Sequence, residues 1–394
     1  MNAVVSTPRR NVSRHARNPL LSGLQCLRCD ASFPLQLVHT GCPLCAAQGV
    51  HVSLRAAYSK KVGLARYLPY GDDSQLGEGA TPLITAPNLA LHLSIGSLHI
   101  KDESKNPTGS HKDRMSAIGV SQAVDFGAHT VVLASSGNAA ISAARYAQSA
   151  GLACEVACYI GMPKAYADLL DMYGAKRFAF ADNAGRWAYV AMRAAQPGTF
   201  ALTNHHLPAL GSAPLAIEGY KAIAYECHAQ GHLPEHIMVP TARGDLAWGI
   251  FAGFRDLLEA GQIQTLPKIW VVEPFARLAN VLSGASLHQS CPGQTAQFST
   301  AGATVTYLQW QAATVSSGGA VIVSDAQAVA ARAVLTTHGV SAELCAAAGF
   351  AAIEQLRTLS VINAQSKLLL ILTANSLRDP SWPDAQPTPA NNFT

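Results

Sequence analysis

The stretch KDESKNPTGSHKDRMSAIGV, residues 101–120, decides how the chain is read. Pro107 and Gly109 are turn formers, so residues 106–110 read as a tight loop leaving the apolar run Leu98-His99-Ile100. Beyond it, Met115, Ile118 and the residues to Val124 recur at helical spacing, with Ser110 placed to cap the first turn. Lys112 then sits at a helix start, where unpaired N–H groups and the helix dipole make the field positive. An ammonium is disfavoured there relative to a neutral amine, and a lysine with a lowered pKa suits covalent chemistry at a carbonyl carbon. A lysine taken alone has a plainer alternative, an ordinary surface residue near a helix start.

The rest of the chain bears on that choice. Its 394 residues exceed one small core, which predicts two lobes plus a small module. Charged residues make up 13% and hydrophobic ones 49%, the balance of a compact enzyme with a large interior. A net charge of +4 with no dense Lys/Arg stripe argues against nucleic acid as a partner. Apolar runs fall short of a bilayer span and the N-terminus lacks a secretory apolar core, so the expectation is a soluble cytoplasmic protein without membrane partners. Residues 1–20 carry Arg9, Arg10, Arg14 and Arg17 and no acid, which reads as a disordered basic tail or an organelle-targeting peptide. Residues 381–394, rich in Pro and Asn, read as a loose C-terminal tail.

Of nine cysteines, Cys154, Cys158, Cys227, Cys291 and Cys345 are scattered in apolar segments and read as buried small hydrophobes. The other four form CLRC at 26–29 and CPLC at 42–45. Two such knuckles joined by a short hairpin can give Cys26, Cys29, Cys42 and Cys45 to one tetrahedral zinc, in a ribbon-like module over residues 21–50. With four thiolates the site is closed, so the zinc is structural; a ribbon that folds without metal is the alternative.

From residue 98 onward, short apolar runs at 98–100, 130–134, 153–160, 176–180, 236–240, 268–273, 304–308 and 367–373 alternate with Ala-rich helical stretches. This rhythm predicts α/β layering with mainly parallel sheets, enough for two. Ligands of such sheets sit in the loops at the carboxyl ends of strands. Besides the Lys112 loop, three stand out: LASSGNAAISAARYA at 133–147, MVPTARGDLAWGIFAGF at 238–254 and LLLILTANSLRDP at 368–380. Small hydroxyls, Gly137 and an amide at a helix start suit a carboxylate or another anion. An ordinary capped helix is the alternative.

In this order, EGATPL, NPTGSHKDR, SSGNAA, IEGYKAIAYE and LTANSLRDP resemble the pyridoxal-phosphate enzymes of fold type II, and within them the threonine synthase family. The cysteine segment resembles one that precedes the catalytic body in some threonine synthases and cysteate synthases. The resemblance implies a fold like that of the tryptophan synthase β chain, with a large cofactor-binding domain from 51–110 and 215–380 and a small domain at 111–214. It implies pyridoxal 5'-phosphate as cofactor, a small amino acid as substrate and a homodimer. Carried over by position, Lys112 is the Schiff-base lysine and moves protons at the substrate carbons. Asn138 meets the phenolic oxygen of the cofactor, and Ser135, Ser136 and Gly137 hold the substrate carboxylate. Thr373 meets the pyridine nitrogen, with Cys345 as the competitor, and a hydroxyl there favours elimination or replacement over transamination. Lys101 is the residue that reaches a substrate phosphate, and Thr108 adds a substrate contact. Asp113 and Arg114 are expected to buttress the loop through a salt bridge.

Two departures follow. The phosphate cup of the family is a run of glycines, aligned here with Thr241, Ala242, Arg243, Gly244 and Asp245. A carboxylate there repels a phosphate if it points inward, so Arg243 and the N–H groups of 242–246 are expected to hold the phosphate while Asp245 turns away or pairs with Arg243. Ala213 and Ala216 stand where threonine synthases have an Asn and an Arg for the phosphate of O-phosphohomoserine, and His111 replaces an aromatic residue. His111 is an acid–base candidate near neutral pH; a histidine bonded to backbone is the alternative. The expected activity is elimination or replacement at Cβ or Cγ of an activated amino acid, with threonine synthase as the nearest named one. The alternatives are β-replacement or β-elimination on a serine- or cysteine-type substrate, and a catalytically silent zinc-ribbon interaction protein.

Overall fold

The computed structural model describes residues 16–35, 40–59, 67–71 and 76–379. Its strands are β1 (Leu21–Cys26), β2 (Ser32–Phe33), β3 (Leu54–Tyr58), β4 (Leu83–Thr85), β5 (Ser97–Asp102), β6 (Thr130–Ala134), β7 (Ala153–Tyr159), β8 (Lys176–Phe180), β9 (Thr199–Ala201), β10 (His236–Pro240), β11 (Lys268–Glu273), β12 (Gly319–Ile322) and β13 (Lys367–Leu372). They form a three-stranded sheet in the order β2-β1-β3, a four-stranded sheet β8-β7-β6-β9 and a six-stranded sheet β12-β11-β10-β13-β5-β4. The four-stranded sheet is parallel throughout, and the six-stranded one is parallel except for its edge strand β4. This is the α/β architecture of fold type II. Helices cover these sheets, which is why interior strands such as Leu368 to Leu372 are buried along their whole length rather than at alternate positions.

The large sheet is assembled from strands before and after the smaller one. β5 pairs with β13 in register from Ser97 opposite Lys367 to Asp102 opposite Leu372. Two segments far apart in sequence thus end side by side, and the loops that follow them are stitched together. His111 N–H donates to the Thr373 carbonyl at 3.0 Å, and Ser110 bridges to Ala374.

The helix expected at Lys112 spans Lys112–Asp125, and Ser110 Oγ accepts from the Lys112 N–H at 3.3 Å. Asp113 and Arg114 do buttress the loop, but not as a pair, because each has nearer partners. Asp113 accepts from the Thr108 N–H at 2.6 Å, the Thr108 hydroxyl at 2.5 Å and Ser142 at 2.6 Å. Arg114 lies between Glu103 and Glu226, at 2.6 Å from each.

One other expectation is corrected. Run 304–308 is not a strand: the Thr306 side chain accepts from Gln309 N–H and caps the helix Tyr307–Val315. The edge strand comes instead from β12, where a Cβ on the preceding Gly318 would stand 1.9 Å from the Ile269 carbonyl oxygen. The antiparallel sheet of the cysteine segment continues past residue 50, because β3 pairs with β1. Within the segment read as a loose basic tail, Arg17 is fastened to Asp125 at 2.7 Å; residues 1–15 and the tail 381–394 lie outside the described residues. Among the described residues no helix is long and apolar enough to cross a membrane.

The Arg114 network predicts a large stability effect. Arg114→Met leaves Glu103, fully buried, without its cation, and should cost about 3–5 kcal/mol, read from the urea midpoint. A cost below about 1 kcal/mol would show that Glu103 finds another partner or a proton.

Candidate active site

Loops at the carboxyl ends of strands in both lobes converge on one cleft of about 500 Å³. His111 and Lys112 enter it after β5, Ser135 to Asn138 after β6, Thr241 to Asp245 after β10, and Thr373 after β13. Cys345 lines it too, from the helix Leu344–Thr358.

Lys112 makes no ion pair among the described residues, and its ammonium lies 5.9 Å from the centre of the Tyr220 ring. Burial pushes its pKa down against the opposing pull of Asp245 and Glu343, the state the helix-start argument requires. His111 follows the plainer reading. Its Nδ1 faces the Thr373 carbonyl at 3.2 Å, and burial with Lys112 alongside holds it well below the usual histidine range. The backbone-bonded histidine of the sequence alternative is thus the arrangement found.

Two helices begin in the cleft without any side chain capping their first turn, Asn138–Ser149 behind Gly137 and Asp245–Glu259 behind Gly244. Their open N–H groups make two anion sites. At the first, Ser135 Oγ accepts from Gly137 N–H at 3.3 Å and Ser136 Oγ from Tyr159 N–H at 2.7 Å, which shapes the turn. At the second, Gly244 has φ of +90°, and a Cβ there would meet Gln309 backbone at 2.6 Å, so no other residue fits. Asp245 does not pair with Arg243. It accepts from the Ser212 hydroxyl at 2.6 Å and the Ser212 N–H at 3.3 Å, which engages both carboxylate oxygens. The Thr241 hydroxyl is spent on the Val239 carbonyl at 2.7 Å. Arg243 stacks over Trp187 at 5.0 Å, and its buried Nε has no partner.

Two substrate contacts expected from the sequence are not in the cleft. Lys101 is fully buried, held by Glu226 at 2.7 Å and the Thr81 carbonyl at 2.7 Å, so its amine is consumed in the Arg114 network. Thr108 is spent on Asp113. Ala213 and Ala216 are buried and line no part of the cleft.

The sequence reading missed Glu343. Its carboxyl accepts from the Thr373 hydroxyl at 2.7 Å and lies 3.4 Å from Asn138 Nδ2. Burial pushes it up to about 7. Thr373 is thus already a donor to Glu343, while burial pushes the Cys345 thiol up to about 12, so Cys345 is a neutral thiol. An acid in the apolar text SAELCAAAGF was the available signal. Also missed were Arg186, Arg277 and the covering segment from Gly293 to Gly302, whose polar, periodless sequence reads only as loop. Arg277 donates to the carbonyls of Thr241 at 2.9 Å, Ala242 at 3.1 Å and Gly302, and pairs with Glu273 at 3.3 Å.

In the N-terminal module, the thiols of Cys26, Cys29, Cys42 and Cys45 all lie within 4.8 Å of one another. Cys26 to Cys45 measures 3.6 Å and Cys29 to Cys42 3.7 Å. Four Zn–S bonds of about 2.3 Å at tetrahedral angles put sulfurs about 3.8 Å apart, so this set fits a zinc ion.

The cleft likewise fits pyridoxal phosphate: a half-buried amine whose pKa is pushed down, two open helix starts, and Arg243 Nε and Asn138 Oδ1, buried and without a partner among the described residues. Comparison with known proteins agrees. The family model described as pyridoxal-phosphate dependent enzyme matches residues 74–374. The threonine synthase of Methanocaldococcus jannaschii is 30% identical over 353 residues, 84% of each chain. That of Halalkalibacterium halodurans is 30% identical over 80% of this chain and 88% of its own. Among solved structures, maize serine racemase superposes with a TM-score of 0.64 at 19% identity, covering 75% of this chain and 88% of that one. Diaminopropionate ammonia lyase from Escherichia coli gives 0.64 at 17%, covering 76% and 85%. The chain therefore belongs to the pyridoxal-phosphate-dependent enzymes of fold type II, in the threonine synthase family.

Proposed function

We propose that this chain catalyses elimination or replacement at Cβ or Cγ of an amino acid that carries a leaving group. The observation that carries the reading is the half-buried amine of Lys112, without an ion pair among the described residues, facing the same cleft as two uncapped helix starts. Pyridoxal phosphate, when bound, supplies the electron sink that loosens bonds at the substrate Cα and lets a group depart further along the side chain. Lys112 would hold its aldehyde carbon, and Arg243 with the N–H groups after Gly244 its phosphate. Freed as a neutral amine, Lys112 takes a proton from one substrate carbon and returns it to another. Ser135, Ser136 and the start of the Asn138–Ser149 helix orient the substrate carboxylate. Glu343, able to hold or release a proton near neutral pH, faces Asn138 and Thr373 and sets the charge on that wall.

Threonine synthase relatives support O-phosphohomoserine as the nearest named substrate. Against it stand the burial of Lys101 and the small side chains of Ala213 and Ala216, which favour a different activated amino acid. The first test is the visible spectrum of the protein with pyridoxal phosphate, before and after O-phosphohomoserine, with phosphate release measured in the same sample. The expected result is a band of lysine-bound cofactor that Lys112→Ala removes, with turnover of the true substrate falling at least about 10³-fold. Rapid phosphate release would establish threonine-synthase chemistry instead. A wild-type chain that forms no band would sink the enzyme reading and revive a silent interaction protein.

Glu343 makes a stability prediction for the cofactor-free protein. Its carboxyl ionises near 4.5 when unfolded and near 7 when folded, so between these values the native state holds the extra proton. Its contribution to stability is fully present below pH 4.5 and is lost as pH rises through 7. Glu343→Gln should flatten that part of the profile relative to wild type, read as the difference in unfolding free energy at pH 5 and pH 8; parallel profiles would contradict the raised pKa.

We further assign one structural zinc to Cys26, Cys29, Cys42 and Cys45. Metal analysis should find one zinc per chain, lost in Cys42→Ser together with several degrees of melting temperature. A metal-free wild type with an unchanged melt would mean that the ribbon folds by its own packing.

A further inference from the structure

Arg186 has no part in the scheme above. It sits in the first turn of the helix Asn183–Ala194, whose start is capped by Asp182. A cation at a helix N-terminus opposes the helix dipole. The residue is only 6% exposed, and the surface it keeps belongs to the cleft, beside Tyr159 and Asn183. Its position is fixed: the guanidinium carbon lies 4.1 Å from the centre of the Tyr159 ring, and Nε donates to the Ala157 carbonyl at 3.2 Å. Tyr159 is in turn held by its own N–H to Ser136. Among the described residues no carboxylate pairs with Arg186, and burial pushes its pKa down with only Tyr159 and Cys158 opposing. A buried guanidinium with no counter-ion, braced by an aromatic ring and opening on a cleft, is an anion receptor.

The anion sites already assigned do not use it, although Arg243, stacked on the adjacent Trp187, lies within its electrostatic reach. The cofactor phosphate has the Gly244 helix start and Arg243, and the substrate α-carboxylate has the Asn138 helix start. The residues the family would use for a phosphate on the substrate side chain are absent or consumed, as Lys101, Ala213 and Ala216 show. We propose that Arg186, with Asn183 beside it, is the specificity-determining residue of this cleft and binds an oxyanion on the side chain of the amino acid substrate: a carboxylate, a phosphate or a sulfonate. This rests on the cofactor reading of the previous section.

The test uses the holoenzyme and ligand-induced change in the cofactor's visible spectrum, which reports binding without turnover. Wild type is titrated with L-aspartate, L-cysteate and O-phospho-L-homoserine, and with the neutral L-alanine, L-2-aminobutyrate and L-homoserine. At least one anionic ligand should bind tenfold or more tightly than its neutral counterpart, and the best of the three identifies the oxyanion. Arg186→Gln should abolish that preference while changing neutral-ligand and cofactor affinity less than twofold, and Arg186→Lys should keep part of it. Matching melting curves of the variants show that the fold is intact; should Arg186→Gln melt early, Arg186→Lys carries the comparison. Equal weakening of all six ligands would place Arg186 at the α-carboxylate or in packing against Tyr159 and overturn the proposal, as would a wild type without preference. Failure of the underlying reading looks different: no cofactor band in the wild type at all, which removes the proposal with it.

Discussion

The interaction on which the molecule depends is one that the native state withholds: a counter-ion for Lys112. Its amine is half-buried at a helix start, where the dipole and the lost hydration both act against an ammonium. A side chain in that position would swing toward a carboxylate if its loop allowed it, so the loop must not allow it. The neighbouring charges are accordingly tied elsewhere. Asp113 is saturated by Thr108 and Ser142, Arg114 by Glu103 and Glu226, and Asp245 by Ser212. Each of these partnerships stabilises the fold and engages a charge that would otherwise be open to the amine, although Asp245 still draws its pKa upward.

Asp245 connects this logic to the rest of the chain. The carboxylate at the phosphate cup has both of its oxygens engaged by Ser212. Ser212 belongs to the segment 203–214, which with Gly41 and Ser53 of the cysteine module encloses a second, smaller cavity. The module is also bonded directly to the catalytic body, through Ala56 N–H to Glu218 at 2.8 Å and the Gln311 side chain to the Leu27 carbonyl at 3.0 Å. The cysteine module thus borders the segment that carries the partner of Asp245.

The sequence made legible whatever rests on local pattern. Strands in fully covered parallel sheets leave apolar runs, so β6, β10 and β11 were readable to the residue, and loops at their ends marked the cleft. The start of the helix at Lys112 was equally local. What was not legible depends on contacts between distant segments. Lys101 belongs to a motif of the right kind, yet Glu226, 125 positions away, takes its charge. Run 304–308 is apolar and β-branched enough for a strand, but Thr306 supplies a cap and the helix wins. Glu343 sits in a helix-like, alanine-rich text where nothing in the spacing reveals that Asn138 and Thr373 converge on it.

Arg277 shows how a cup with few glycines still works. The N–H groups of a loop turn toward a ligand only if its carbonyls turn away, and carbonyls turned into an apolar interior need donors. In a glycine-rich cup backbone freedom provides the orientation; here Thr241 and Ala242 occupy the loop, and one guanidinium receives both of their carbonyls and that of Gly302 from the covering segment. Glu273, fully buried at the end of β11, neutralises that guanidinium, so no net charge is left behind the cup. The same pairing ties the covering segment to the loop it covers. The glycines lost from the motif are thereby offset by a side chain more than 30 residues downstream, and Gly244 survives because the steric demand of Gln309 at that point cannot be met any other way.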